Sequence, residues 1–127
     1  MAKDVDEYIE DKQLRTRLAE LRRLLDGKDM DTGSLDNYAI GFDYIEPGTH
    51  DGQVEGYWRY RMSWDGTADE FRFFFHPRTY AFRIEYWYFA WHYGAQRTCT
   101  DNATARLLWD WLVSTGAVAT AASKRPH

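Results

Sequence analysis

The feature that most constrains the fold is an alternation of apolar and polar residues through the middle of the chain. Five runs with a period of two begin near Asn37, Gln53, Ala68, Tyr80 and Ala95. Such alternation is typical of strands that bury one face. The Asp65-Gly66 dipeptide separates two of the runs and is a strong signal for a two-residue hairpin turn. The sequence therefore predicts a four- or five-stranded antiparallel meander over residues 37–100.

The positions of the turns set the register between neighbouring strands. A turn at Asp65-Gly66 gives three cross-strand pairs, namely Trp58 with Phe73, Tyr60 with Phe71, and Arg61 with Glu70. A turn at Arg78-Thr79 gives three more, namely Phe75 with Phe82, Phe73 with Ile84, and Arg72 with Glu85. We expect a third tight turn at Tyr93-Gly94, which would place Tyr88 near Cys99 and Phe89 near Thr98.

Helical patterns flank the strands. Leu14, Leu18, Leu21 and Leu25 recur at spacings of four, three and four, after a capping-box pattern at Asp4 and Glu7. Residues 100–102 (Thr, Asp, Asn) offer an N-cap for a second helix, and Gly116 is placed to end it. We predict one α+β domain over 1–127, with helices at about 4–26 and 101–115. We expect the remaining residues, about 117–127, to form a fraying basic tail.

The predicted registers divide the strand residues between two faces. We call the first the inner face, and it carries Tyr38, Ile40, Phe42, Tyr44, Trp58, Tyr60, Met62, Phe71, Phe73, Phe75, Phe82, Ile84, Tyr86 and Tyr88. We call the second the outer face, and it carries Asp43, Tyr57, Arg59, Arg61, Glu70, Arg72, Phe74, His76, Arg83, Glu85, Trp87, Phe89, Trp91, Gln96 and Thr98. The inner face is predicted to take the leucine stripe of the first helix and to form the core.

The outer face is unusual because large aromatic rings accompany its charges, whereas an ordinary solvated face is polar. One interpretation is that the second helix covers these rings, or that the sheet curls around them. Another is a protein interface, since rings and arginines are enriched at binding hot spots. The residues predicted to bind a partner are Tyr57, Arg59, Arg61, Arg72, Phe74, Trp87, Phe89 and Trp91.

An acidic stretch offers a second docking surface. Residues 26–55 hold eight acidic side chains and one basic side chain, Lys28. The leading hypothesis is a non-catalytic protein-binding module that docks through the outer face or this acidic stretch. A small inhibitor of the immunity or anti-defence type (anti-CRISPR-like or toxin-immunity-like) is one form such a module takes, by analogy of size and charge alone. The partner is another protein or a second copy of the chain.

The alternative hypothesis is a small-ligand-binding or enzymatic domain with a pocket between the curved sheet and a helix. Its polar groups would be Glu55, His76 and Glu85, with His76 across from Glu55 as a conceivable general base. The chain has no GxGxxG, GxxxxGK[ST] or GxSxG motif. Residues 47–52, around His50 and Asp51, match no EF-hand or HExxH spacing. We expect no cofactor and no metal, and whether the chain is an enzyme stays open.

Net charge and cysteine content narrow the class of protein further. The formal charge of −4 disfavours binding to nucleic acid through phosphates, although single-strand binding by the arginines and rings of the outer face is a minor alternative. Cys99 is the single cysteine, which excludes an internal disulfide and fits a reducing cytoplasm. We expect Cys99 to be a small buried apolar group. No apolar run approaches the roughly 20 residues that span a bilayer, so no membrane association is expected.

Overall fold

The structure is a computed structural model that describes residues 8–27, 35–64, 67–76, 81–90 and 93–123. A helix, a five-stranded antiparallel sheet and two further helices follow one another, with a 3-10 turn at Leu35–Asn37. The helices are α1 (Ile9–Leu25), α2 (Ala103–Ser114) and α3 (Ala117–Ser123). The strands are β1 (Gly41–Ile45), β2 (Tyr57–Trp64), β3 (Thr67–His76), β4 (Ala81–Ala90) and β5 (Tyr93–Thr98). The predicted α+β architecture is confirmed.

The strands form a meander in the order β1-β2-β3-β4-β5. The six predicted pairs across β2-β3 and β3-β4 are all present, from Trp58 with Phe73 to Arg72 with Glu85. The predicted β4-β5 register is wrong, because Tyr88 pairs with Ala95 and Phe89 pairs with Gly94. Small residues opposite these two rings leave room for them. The error is four residues, an even number, so every side chain keeps its predicted face.

The core lies between the inner face and the helices. Leu21 of α1 and Leu108 of α2 share a buried cluster with Phe71, Phe73 and Ile84 of the sheet, all 0% exposed. Trp109 of α2 packs its ring against four inner-face rings, those of Trp58, Phe73, Phe75 and Phe82. The interpretation that the second helix covers the outer face is therefore wrong, since α2 packs on the inner face beside α1.

Local signals explain where the helices end. Gly27 (φ +80°) and Gly116 (φ +85°) adopt the left-handed conformation that follows α1 and α2. Asn102 caps α2, and its side-chain oxygen accepts a hydrogen bond from the Ala105 N–H at 2.9 Å. The capping box predicted at Asp4 and Glu7 lies outside the described residues.

The expectation of a fraying tail is wrong for residues 117–123, which form α3. Alanine-rich sequence favours a helix, and tertiary contacts hold this one in place. Ala121 is buried, and the Val118 carbonyl accepts a hydrogen bond from the Trp58 indole N–H at 3.1 Å. Residues 124–127 lie outside the described part of the chain.

A buried ion pair crosses the core, and the sequence analysis missed it. Arg17 of α1 donates from Nε and Nη2 to the two carboxylate oxygens of Asp69 on β3, at 2.7 and 2.8 Å. Tyr86 donates to the same carboxylate at 2.7 Å, and Tyr38 bridges Arg17 to Glu20. The side chains of Arg17 and Asp69 are 5% and 0% exposed. The pair fixes α1 on the sheet.

Within the described ranges, no helix combines the length and the apolar character needed to cross a membrane.

Candidate functional site on the outer face

The helices pack against the inner face, and the outer face carries its own small apolar cluster. Its buried members are Ile45, Tyr57 and Phe74, all from strands. The Tyr57 ring packs 5.3 Å from the Phe74 ring, centroid to centroid. Tyr57 is 2% exposed, and its hydroxyl has no hydrogen-bond partner among the described residues. Burial raises the pKa of this hydroxyl above its ordinary value.

Arg72 of β3 lies between aromatic rings at the middle of the outer face. Its Cζ is 4.8 Å from the Tyr57 ring centroid, 4.1 Å from that of Trp87 and 6.0 Å from that of Phe89. Its Nε donates to the Glu70 carboxylate at 2.6 Å. Stacking on a ring and pairing with a carboxylate together hold a guanidinium in one orientation. The rings and the charge of this region therefore form one ordered unit.

Arg83 of β4 makes a second unit of the same kind. Its Cζ lies 4.0 Å from the Phe74 ring centroid. Its Nε donates to Glu85 at 2.8 Å, and its Nη2 donates to Glu55 at 2.7 Å. The hydrogen bond from Arg83 lowers the pKa of the Glu55 carboxyl, and its contact with His76 lowers it further. Arg83 thus links a sheet carboxylate to one from the loop that precedes β2.

Two further arginines continue the face along β2. Arg59 donates two hydrogen bonds to Asp43 of β1, at 3.1 and 2.7 Å. The Arg61 side chain is exposed and lies beside Gly41 at the edge strand. The predicted pair of Arg61 with Glu70 holds for the backbone register, while the Glu70 carboxylate turns to Arg72.

Some of the predicted partner-binding residues lie in one cluster, and others lie at its edge or outside the described residues. Tyr57, Arg72, Phe74, Trp87 and Phe89 form the ring and guanidinium cluster described above. Arg59 and Arg61 extend it toward β1. Trp91 lies outside the described residues, so the prediction for it stays a prediction. The Trp87 and Phe89 rings stack with centroids 6.0 Å apart and are both half-buried.

The three polar groups of the alternative pocket are also neighbours. His76 Nε2 lies 3.2 Å from a Glu55 carboxylate oxygen, as the register predicted, and Arg83 joins Glu55 to Glu85. The location expected for this pocket is wrong, however. Glu55 and Glu85 line a cleft between the outer face and the loop 46–56, and Glu55 and His76 line a cavity beside it. The prediction placed all three between the sheet and a helix. Because the helices occupy the inner face, they leave these groups on the opposite side of the sheet.

We call the loop 46–56 the acidic loop, since it carries Glu46, Asp51 and Glu55. Gly48 and Gly52 adopt φ values of +83° and +74°, and the Gln53 amide donates to the Glu46 and Glu55 carbonyls. The cleft has a volume of about 360 Å³ and is lined by residues 50–55 and by Tyr57, Arg72, Phe74, Arg83, Glu85 and Trp87. A second cavity of about 370 Å³ adjoins it beyond the Glu55 and Arg83 pair and includes His76, Thr98 and Thr100.

Arg83 and Glu70 are the site residues missing from the predicted partner-binding set, while Asp51 was included as part of the acidic stretch 26–55. Arg83 and Glu70 were placed on the outer face but not among the binding residues. The spacing of residues along β4 could have identified Arg83. Arg83, Glu85 and Trp87 follow one another at intervals of two residues, so their side chains lie on one face of the strand, where neighbours can form hydrogen bonds. Glu85 does accept hydrogen bonds from both Arg83 and Trp87.

Chemical groups elsewhere add little to this site. Within the described ranges, no three His, Cys, Asp or Glu side chains lie close enough together to hold a metal ion. Cys99 is buried in the inner core, as expected, and burial raises the pKa of its thiol to about 12. A thiol with this pKa is a poor nucleophile near neutral pH.

Comparisons with protein-family models, with curated proteins and with solved structures found no match to this chain. The functional argument therefore depends on the geometry of the outer face.

Proposed function

We propose that this chain is a non-catalytic protein-binding module that docks another protein on its outer face. The observation that supports the proposal is the difference in packing between the two faces of the sheet. All three helices pack on the inner face, while the described part of the outer face keeps Trp87, Phe89 and Arg83 only partly buried. Rings of this size cost free energy when they contact water, and a docking partner would remove that contact.

The composition and order of the outer face support the same function. Tryptophan, tyrosine, phenylalanine and arginine are the residues enriched at the centres of protein interfaces. Here the guanidiniums of Arg59, Arg72 and Arg83 are each held by a carboxylate in the isolated chain. Side chains ordered before binding lose less conformational entropy when the partner arrives. A small cytoplasmic inhibitor of the immunity or anti-defence type is one form of this function, and the buried single thiol suits that compartment.

Affinity capture from a lysate of the source cell, compared across three folded proteins, tests the proposal. The three proteins are the wild type, the outer-face variant Trp87→Ala/Phe89→Ala, and a control variant. The control, Leu107→Ala/Val113→Ala, changes two exposed apolar positions on α2. We expect one protein to be retained by the wild type and the α2 variant and lost by the outer-face variant. Equal retention by all three, with circular dichroism showing that each is folded, contradicts the proposal.

A small-ligand or enzymatic function is the second candidate, because of the contact between His76 and Glu55. Both side chains line the cavity of about 370 Å³, and Glu55 also lines the adjoining cleft. Ligand-observed NMR against a fragment library, with the wild type and His76→Gln, separates the two functions. A ligand that binds the wild type and not His76→Gln favours this candidate. If His76→Gln captures the partner protein as well as the wild type does, the result favours the docking function.

A second copy of the chain is the remaining partner. Sedimentation of the isolated protein over a range of concentrations measures this directly. The docking proposal predicts a monomer, while a dimer that Trp87→Ala/Phe89→Ala dissociates would assign the outer face to self-association.

A further inference from the structure

The acidic loop and the outer face form one continuous surface, although the sequence presents them as separate docking candidates. Asp51 and Glu55 of the loop line the same cleft as Arg72 and Trp87 of the sheet. The hydrogen bonds between Arg83 and Glu55 tie the loop to β4. A partner that docks on the rings therefore meets the loop carboxylates as well.

The charge of this joint surface is negative. The acidic loop contributes three carboxylates and the outer face three more, against four guanidiniums on the outer face. Arg59 and Arg72 pair with carboxylates of the outer face, and Arg83 pairs with Glu55 and Glu85. These internal pairs neutralise the three partly buried guanidiniums. Asp51 stays exposed at the mouth of the cleft, and the excess of carboxylates favours a cationic partner.

The chain itself shows which cation this surface accommodates. Arg72 lies between the Tyr57 and Trp87 rings and pairs with Glu70. Arg83 lies over the Phe74 ring and pairs with Glu55 and Glu85. Twice on one sheet face, therefore, a planar guanidinium stacks on a ring while its edge meets a carboxylate. The cleft is lined by Trp87 and Glu85 of these two units and by Asp51 of the acidic loop, and part of its volume is unfilled.

We propose that the partner presents a basic segment and that one of its arginine side chains enters the cleft beside Trp87, with Asp51 at the mouth. This inference depends on the proposed docking function and specifies the chemistry of the partner. Arginine is favoured over lysine because its flat guanidinium stacks on rings and bonds carboxylates with two N–H groups at once. The cleft volume lies near the lower end of the range of about 300–1,000 Å³ typical of ligand clefts, which suits a side chain better than a larger group.

The charge of the partner is tested with three capped pentapeptides. One peptide contains two arginines, one contains two lysines and one contains two glutamates, and glycines fill the other positions. Each is titrated into the ¹⁵N-labelled full chain at low salt and followed by NMR. We expect the arginine peptide to shift the Trp87 indole N–H and the amides of Asp51 and Glu55, with binding that weakens as salt is added. We expect the lysine peptide to bind about threefold more weakly and the glutamate peptide to leave these signals in place.

A matched pair of variants tests whether the arginine peptide binds in the cleft. Asp51→Ala removes a loop carboxylate, while Asp110→Ala removes an exposed one from α2. We expect Asp51→Ala to weaken the arginine peptide about threefold, the scale of one exposed ion pair, and Asp110→Ala to leave its affinity unchanged. Equal effects of the two variants, or shifts spread over the acidic surface without focus on the cleft, overturn the inference.

The outcomes also separate this inference from the docking function. Shifts of the Trp87 and Glu55 signals by the glutamate peptide alone would overturn the basic partner and keep the outer face as the docking surface. Failure of the docking function itself would instead appear in the affinity capture, as retention indifferent to Trp87→Ala/Phe89→Ala.

Discussion

Arg17 on the inner face and Arg83 on the outer face make similar bonds in different surroundings. Arg17 donates two hydrogen bonds to Asp69 at 2.7 and 2.8 Å, and Arg83 donates to Glu55 and Glu85 at the same two distances. The side chains of Arg17 and Asp69 are 5% and 0% exposed, whereas those of Arg83 and Glu55 are 38% and 32% exposed. Bond geometry therefore does not distinguish a structural arginine from one available to a partner, while exposure does.

The same contrast holds for the rings. Phe73 is 0% exposed on the inner face and packs 5.0 Å from the Trp109 ring of α2. Trp87 is half-buried on the outer face, where Arg72 lies over it and no described helix packs against it. The inner-face residues should therefore contribute most to the free energy of unfolding, and half-buried outer-face residues such as Trp87 and Phe89 should contribute most to the free energy of docking.

Breaking the buried pair is expected to have the largest effect. Arg17→Ala leaves the Asp69 charge buried without its partner, which costs about 3–5 kcal/mol of the free energy of unfolding. Arg83→Ala on the outer face should cost about 1 kcal/mol or less, the scale of an exposed ion pair. Urea unfolding followed by circular dichroism measures both values.

The double variant Arg17→Met/Asp69→Leu provides the control for this prediction. It removes both charges, so no carboxylate is left buried without a partner, and much of the loss should be recovered. Equal losses from Arg17→Ala and Arg83→Ala would contradict the distinction between the two arginines.

Removing one ring from each face sharpens the comparison. Phe73→Ala opens a cavity under α2 and is expected to cost about 3–5 kcal/mol of the free energy of unfolding. Trp87→Ala removes a stacking partner of Arg72 at a half-exposed site and should cost about 1 kcal/mol. Thermal or urea unfolding of the two variants measures how much free energy of unfolding each substitution removes. Equal costs would show that both faces serve as core, which would remove the basis of the docking proposal.

The smallest expected effect is the pH dependence of the outer-face pair. Hydrogen bonding from Arg83 lowers the pKa of the Glu55 carboxyl below its ordinary value. Glu55 therefore stabilises the fold above the pKa it has in the unfolded chain, about 4.3, and this contribution is lost as the pH falls through its lower folded pKa. We expect less than about 1 kcal/mol, because both side chains are partly exposed.

Carbon-detected NMR titration of the Glu55 carboxyl measures this shift. The pKa should return toward the ordinary value for glutamate in Arg83→Met, because that variant removes the donor. A titration midpoint that is the same in the wild type and in Arg83→Met would show that the pair does not persist in solution.

Strand pairing and face assignment could be predicted from the sequence because they depend on local signals. The turn predicted at Asp65-Gly66 lies outside the described residues, but the register that it predicts for β2 and β3 is the one observed. The predicted turn at Tyr93-Gly94 is wrong, yet Phe89 and Trp87 keep their face because side chains alternate with a period of two. The outer-face cluster was predictable for the same reason.

The features that could not be predicted depend on how distant elements pack. The side of the sheet that α2 covers is decided by tertiary contacts such as those of Trp109, which alternation along the strands does not encode. Arg17 lies between Leu14 and Leu21 on one helix face, and a charge there suggests a solvated position until Asp69 is known to face it. The acidic loop joins the outer face through the contacts of Glu55 with Arg83 and His76, which lie far from it in the sequence.

The most direct measurement places the same photo-crosslinking residue on each side of the molecule. Benzoylphenylalanine replaces Phe89 on the outer face in one protein and Val113, which is 51% exposed on α2, in the other. After irradiation in cells, we expect the Phe89 position to give a discrete adduct with one other protein and the Val113 position to give none. An adduct from Val113 alone, or the same adducts from both positions, would contradict docking on the outer face.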